Sequence, residues 1–114
     1  MVDHIAFIVE NPERTAEMLA NFGYEVKRRT AHHGGSVEVE SPKQPGLVIE
    51  LCAKRPQDTI GFNHACFRIE DQAAYDELVE KGVTFNKPPH LSVDSGRYIT
   101  NHIDEDQIKW QVTF

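Results

Sequence analysis

Four polar side chains are of the types that bind a divalent metal, and they occupy matching places in the two halves of the chain: His4, Glu50, His64 and Gln111. Two imidazoles, one carboxylate and one amide oxygen suit Zn, Ni, Co, Mn or Fe. No local metal motif links these residues, so their spacing alone is a weak signal. The alternative is that each is a hydrogen-bonded polar group in a half-buried strand. The symmetry of the four positions favours the metal site.

That symmetry comes from an internal repeat. The segment Asp3–Glu10 (DHIAFIVE) matches Asn63–Glu70 (NHACFRIE), with His4 and His64 separated by 60 residues. Later in each half, Leu47–Cys52 corresponds to Ile108–Thr113. We therefore divide one domain, residues 1–114, into a first repeat at about 1–54, a linker at about 55–61 and a second repeat at about 62–114.

Each half is predicted to form a strand, a helix and three further strands. Asn11 and Asp71 are the expected helix N-caps, and Gly23 and Gly82 the expected stops. The remaining strands are expected at about 24–30, 36–40, 46–53, 83–87, 97–103 and 107–114, with connections at 41–46, 87–90 and 94–96. The predicted fold class is α+β, with tandem βαβββ repeats forming a cupped, partly closed mixed β-sheet barrel and the helices outside.

Strand alternation aims the four candidate ligands at the concave side of this sheet. Side chains alternate faces along a strand, so Ile49 and Leu51 on the helix-covered face place Glu50 in the cup. The same argument turns His64 and Gln111 inward. An ionised carboxylate in such a place is costly unless it is paired with a cation. The cup therefore predicts a metal site.

Charge and composition exclude several other classes of function. The net charge of −6 argues against a nucleic-acid or anionic-membrane surface. No apolar run approaches the roughly 18 residues needed to span a bilayer. The N-terminus has no signal pattern, so we expect a cytoplasmic protein whose Cys52 and Cys66 are reduced.

The sequence resembles the vicinal oxygen chelate superfamily, which includes glyoxalase I, methylmalonyl-CoA epimerases, extradiol dioxygenases, fosfomycin-resistance proteins and bleomycin-binding proteins. The resemblance runs over essentially the whole chain. It is carried by Val2–Ala6, Phe22–Tyr24, Leu47–Leu51, Asn63–Phe67, Lys81–Val83, Gly96–Tyr98 and Asp104–Val112. The glyoxalase-like and methylmalonyl-CoA epimerase-like members are the nearest. Motif order and duplication make it specific for the fold, but the superfamily hosts many reactions.

The resemblance implies that His4, Glu50, His64 and Gln111 hold a divalent metal (Zn, Ni, Co or Mn). Most glyoxalases have Glu at the position of Gln111, and dioxygenases and fosfomycin-resistance proteins require it. Segment 104–108 also departs from the usual Asp-Pro-Asp-Gly-Asn turn. Epimerases combine His and Gln from one half with His and Glu from the other, which is the present set with the halves exchanged.

The implied reaction is a lyase or isomerase (epimerase) reaction on a small oxygenated substrate, through a metal-stabilised enediolate or enolate, with Glu50 as ligand and base. His33 lies about where epimerases carry a second catalytic acid, although a solvent-exposed turn is the simpler interpretation. Candidates for substrate binding share a charged or cup-facing position: Arg68, Arg97, Cys52, Cys66 and His102. The alternative function is metal-free binding of a small molecule, as in bleomycin-binding relatives, which lack the ligands. A homodimer is expected.

Overall fold

The chain forms a strand–helix–three-strand unit twice. All 114 residues are described by a computed structural model. The first unit contains β1 (Val2–Val9), α1 (Pro12–Ala20), β2 (Glu25–Thr30), β3 (Ser36–Glu40) and β4 (Val48–Ala53), with a short 3₁₀ turn at His32–Gly34. The second contains β5 (Gly61–Arg68), α2 (Gln72–Glu80), β6 (His90–Ser92), β7 (Arg97–Ile103) and β8 (Lys109–Thr113).

All eight strands belong to one mixed sheet, in the order β2-β3-β4-β1-β5-β8-β7-β6. The first strands of the two units, β1 and β5, pair antiparallel at its centre. Each also pairs in parallel with the last strand of its own unit, β1 with β4 and β5 with β8. The expected α+β class with a cupped, mixed sheet is confirmed.

Helix α1 covers the outer face of the first unit. Asn11 caps it by accepting a hydrogen bond from the Arg14 backbone N–H, and Pro12 fits the first helical position. Its Ala16 is buried against Val37, Val39 and Leu51, which form the main apolar core. This packing fixes which face of β3 and β4 is covered, and so which face is free for polar groups.

Helix α2 is packed more lightly. Asp71 caps it as expected, but none of its residues is fully buried. Tyr75 carries much of its packing, with its ring 4.9 Å from that of Phe85 and 6.3 Å from that of Phe114. The second unit therefore has a thinner outer core than the first.

The strand expected at 83–87 is absent, and part of the expected connection at 87–90 begins β6 instead. Pro88 and Pro89 have no backbone N–H, so they cannot continue a ladder through this point. Segment 83–87 still lies along β7, because the Asn86 N–H donates to the Asn101 carbonyl at 2.8 Å. After the prolines, β6 pairs with the first three residues of β7.

Arginines connect the two ends of the sheet across the cup. Arg28 on β2 donates to the Ser95 carbonyl, between β6 and β7, at 2.7 Å. Arg97 on β7 donates to Glu38 on β3 at 2.9 Å. These contacts partly close the cup. Neither helix is long and apolar enough to cross a membrane.

Candidate metal centre

The four candidate ligands lie in two rows across the centre of the sheet. In one row Glu50 and His64 are the neighbours of Ala6, one on each side. In the other, His4 and Gln111 are the neighbours of Cys66 in the same way. In each row, a small residue has a histidine on one side and a residue with an oxygen ligand atom on the other. All four ligands are buried, with exposures of 1–6%.

The two imidazoles present their Nε2 atoms to each other at 3.1 Å. The opposite nitrogen of each ring is held by the preceding residue: Nδ1 of His4 lies 2.8 Å from Asp3 Oδ2, and Nδ1 of His64 lies 2.7 Å from Asn63 Oδ1. Both oxygens are acceptors, so each Nδ1 carries the hydrogen and each Nε2 presents a lone pair. Two lone pairs that face each other at this separation are well placed to share a cation. The donor set therefore fits a metal.

Protonation states support the same interpretation. Burial, with His4 next to it, lowers the pKa of His64 to about 2, so its ring is neutral at physiological pH. Burial acts to raise the pKa of Asp3, but hydrogen bonds from His4 and Arg68 outweigh it and hold that pKa well below its ordinary value. Asp3 is therefore a carboxylate beside His4.

Glu50 completes a cluster in which ligand atoms of His4, Glu50 and His64 all lie within 4.8 Å of one another. Its Oε2 accepts a hydrogen bond from Arg97 at 3.3 Å, and its Oε1 accepts one from the Cys52 thiol at 3.4 Å. Carboxylate, imidazole and amide ligands in this number suit a Zn²⁺-like ion.

Gln111 is supported by neutral groups. Its Nε2 donates to Asn101 Oδ1 at 3.0 Å, which leaves its Oε1 without that bond and able to serve a metal. Asn101 is its neighbour on β7, as Glu38 is the neighbour of Glu50 on β3. The two halves therefore support equivalent positions differently, the first with charges and the second with amides.

The candidate substrate-binding arginines differ in availability. Arg97 is largely buried and meets three carboxylates, with Nη2 2.9 Å from Glu38, Nη1 3.3 Å from Glu50 and Nε 3.3 Å from Asp3. The side chain of Arg68 also pairs with Asp3 but is 55% exposed. Arg68 is therefore the more accessible of the two for a substrate.

The other candidates fall into two groups. Cys52 lies beside Glu50, and Cys66 lies between His4 and Gln111; burial raises the pKa of the Cys66 thiol to about 12 and that of Cys52 further, so both are neutral thiols. His102 is not brought to the centre. It pairs with Trp110, on the face opposite Gln111, and its Nδ1 donates to the Thr84 carbonyl at 2.7 Å.

Of the two adjacent histidines, His32 is the one beside the centre. A ring nitrogen of His32 lies within 4.8 Å of both a Glu50 oxygen and the Cys52 sulfur. His33 instead places Nδ1 3.6 Å from Asp58 Oδ2, in a left-handed backbone conformation with φ of 55°. The sequence analysis named His33 as the candidate acid, whereas the structure places the neighbouring His32 in the cluster with Glu50 and Cys52.

Sequence reasoning missed several residues around the centre. Glu38 was detectable, since Val37 and Val39 face the helix-covered core and alternation turns Glu38 into the cup. Asn101 follows from its pairing with Gln111, which requires the register of β7. No sequence signal identified the contacts of Arg97.

A cavity of about 450 Å³ adjoins the Asp3–Arg97 side of the centre. Its charged lining consists of Asp3, Lys27, Arg28, Glu38, Arg68 and Arg97. Four cations and two carboxylates make this cavity favourable to an anionic group.

Comparison with known proteins agrees with this fold. Residues 1–112 match the family described as the Glyoxalase/Bleomycin resistance protein/Dioxygenase superfamily. A Streptomyces coelicolor methylmalonyl-CoA epimerase variant in complex with 2-nitronate-propionyl-CoA is similar in structure, with a TM-score of 0.76, 19% identity and coverage of 98% of this chain and 94% of that one.

Two further solved structures are similar over comparable lengths. The methylmalonyl-CoA epimerase of Mycobacterium tuberculosis has a TM-score of 0.81 at 15% identity, covering 98% of this chain and 85% of its own. A hypothetical protein of Bacillus halodurans has a TM-score of 0.78 at 12% identity, covering 99% and 92%. At these identities the likeness concerns the fold alone. No curated protein matches the sequence significantly.

Proposed function

The chain belongs to the glyoxalase/bleomycin resistance protein/dioxygenase superfamily, and from this premise we propose that it is a metal-dependent lyase or epimerase. The reaction moves a carbon-bound proton of a small oxygenated substrate. The observation that carries the proposal is the convergence of His4, Glu50 and His64 ligand atoms within 4.8 Å, with Gln111 at the position equivalent to Glu50.

His4, His64, Glu50 and Gln111 would hold the metal. A divalent ion held there would supply Lewis-acid chemistry that stabilises negative charge developing on substrate oxygens. Glu50 is the one carboxylate of the set, so it is the group that removes the proton from carbon and returns it. His32 is the histidine next to Glu50 and would assist this transfer, whereas His33 faces Asp58.

The substrate is expected to carry an anionic group beside its reacting oxygens. The cavity next to the centre is lined by Arg68, whose exposed guanidinium could bind a carboxylate or phosphate. Arg97 instead forms ion pairs with three carboxylates of the protein itself. Cys52 and Cys66 would line the cup as neutral, small side chains. Because a similar structure is described in complex with an acyl-CoA analogue, branched acyl-CoA thioesters are the first class to test.

The decisive experiment measures metal in protein purified without a His tag. Wild type is expected to contain about one equivalent of divalent metal, because the chain has one set of candidate ligands. His4→Ala should lose it, and His102→Ala, a matched change on the outer face, should keep it. Absence of metal from the wild type after incubation with Zn²⁺, Co²⁺, Ni²⁺ or Mn²⁺ would refute the proposal and favour a metal-free binding protein.

Metal-loaded protein is then assayed with two substrates. Lyase activity is measured on the hemithioacetal of methylglyoxal and a thiol. Epimerase activity is measured as deuterium exchange at carbon 2 of a 2-methyl-branched acyl-CoA. Glu50→Gln should abolish proton transfer on whichever substrate is used; full activity with metal still bound would remove Glu50 as the base.

A homodimer is part of the proposal. Helix α2 buries no residue fully, and Val79, Leu91 and Val93 in the second unit are exposed apolar side chains. A second copy would supply the missing burial. Light scattering during size-exclusion chromatography measures this directly, and a monomer at micromolar concentration would refute it.

A further inference from the structure

Strands β1 and β5 each contain an extra residue immediately before the histidine. In their antiparallel pairing, Val2 opposes Phe67 while His4 opposes Cys66, so Asp3 has no partner. Further along, Ala6 opposes His64 while Phe7 opposes Phe62, so Asn63 has none. The two irregularities are β-bulges at equivalent positions of the repeat. Bulges of this kind re-aim side chains near functional sites.

The bulges bring neighbouring side chains to the same ring. In a regular strand Asp3 and His4 would point to opposite faces, as would Asn63 and His64. Here each side-chain oxygen instead reaches Nδ1 of the following imidazole, at 2.8 Å in the first unit and 2.7 Å in the second. The consequence is symmetric: both rings are fixed with Nδ1 protonated and Nε2 aimed at the shared centre.

We propose that Asp3 and Asn63 are positioning residues that lock His4 and His64 as Nε2 ligands, and that their different charges make His4 the stronger donor. The role of the two histidines as ligands rests on the proposed function. The fixed tautomer of each ring does not, because it is a property of the metal-free protein.

The difference in strength follows from the surroundings of the two acceptors. Asp3 is a buried carboxylate that also accepts from Arg68 and lies 3.3 Å from Arg97. Asn63 offers only a neutral amide oxygen. A carboxylate on the far nitrogen raises the basicity of a ligating imidazole, and loss of such a partner typically lowers metal affinity by roughly 10–100-fold.

The first test measures the tautomers of His4 and His64 in the metal-free protein. Long-range ¹⁵N–¹H correlation spectra of the metal-free protein at neutral pH should show both rings protonated at Nδ1. Asn63→Ala should move only His64 toward the Nε2-protonated form. Asp3→Asn should keep His4 locked, because the amide oxygen replaces the carboxylate oxygen. Either ring found predominantly Nε2-protonated in the wild type would overturn the proposal, whatever the metal content.

The second test measures Zn²⁺ affinity by competition with a chromophoric chelator. Asn63→Ala should lower affinity by roughly 10–100-fold, and Asn63→Asp should raise it, because a carboxylate strengthens His64. Asp3→Asn should lower it while leaving both rings locked. Asn21→Ala, the same type of change at the end of α1, is the control. Equal affinity of wild type, Asn63→Ala and Asn63→Asp would overturn the proposal. Locked rings in a protein that binds no metal would instead refute the proposed function alone.

Discussion

Glu38 and Glu50 are direct cross-strand neighbours on β3 and β4, and both are almost fully buried. Like charges in this arrangement repel. Arg97 removes the conflict by placing Nη1 3.1 Å from Glu38 Oε2 and 3.3 Å from Glu50 Oε2. Arg97, a residue of the second unit, therefore offsets the repulsion between these two carboxylates of the first unit.

Replacement of Arg97 should be strongly destabilising. Arg97→Met leaves two buried carboxylates without their shared cation, and loss of one partner of a buried pair costs about 3–5 kcal/mol. Arg68→Met, which removes an exposed partner of Asp3, should cost under about 1 kcal/mol. Urea denaturation measures both. Combining Arg97→Met with Glu38→Leu should recover part of the loss, and similar costs for the two single changes would contradict this account.

The metal-free protein should lose stability as the pH falls below about 6.5, the ordinary value for histidine. His64 in the folded state has a pKa lowered to about 2, because it is buried. Above pH 6.5 the ring is neutral in both states and contributes nothing. Below it, only the unfolded state takes up the proton, so stability falls by up to about 1.4 kcal/mol per pH unit.

Chemical denaturation in the presence of a chelator, between pH 7.5 and 5, tests this linkage. His64→Gln should show a shallower decline than wild type, since glutamine cannot take up the proton. Parallel curves would mean that His64 is protonated in the folded protein.

The two thiols should be unreactive in the native protein. Cys52 and Cys66 are buried, with exposures of 1% and 0%, and burial raises the pKa of the Cys66 thiol to about 12. The thiolate is the reactive form. Iodoacetamide at pH 8 should therefore modify neither residue until urea unfolds the chain, as followed by mass spectrometry. Modification of folded protein at the rate of free glutathione would contradict their burial.

Exchanging the oxygen ligands between the halves should preserve metal binding. Glu50 and Gln111 hold equivalent register positions, next to Ala6 and Cys66. Glu50→Gln alone removes the only carboxylate of the set and should weaken binding most. Adding Gln111→Glu should restore affinity to within about tenfold of wild type, a loss comparable to that of one supporting contact.

Zn²⁺ competition measures the three proteins side by side. Asn101 can turn its amide to donate to a carboxylate at 111, so the exchanged site remains supported. No recovery in the double variant would show that Arg97 and Glu38 make the first-unit position unique.

The sequence by itself determined the architecture and most of the proposed ligand set. Strand alternation is a local property of the backbone, so it fixes the faces of His4, Glu50 and His64 without knowledge of the rest of the molecule. The repeat then related Glu50 to Gln111, and the register bears out that equivalence.

Only the tertiary structure decided how the centre is supported. The partners of Arg97 lie on strands distant in the chain, and His102 faces outward because β7 aligns Asn101 with Gln111. Strand alternation could not predict that His32 lies beside Glu50, because its position depends on a turn in which His33 has positive φ. The bulges at Asp3 and Asn63 break the alternation itself. These features depend on cross-strand register and loop conformation, which arise from long-range packing.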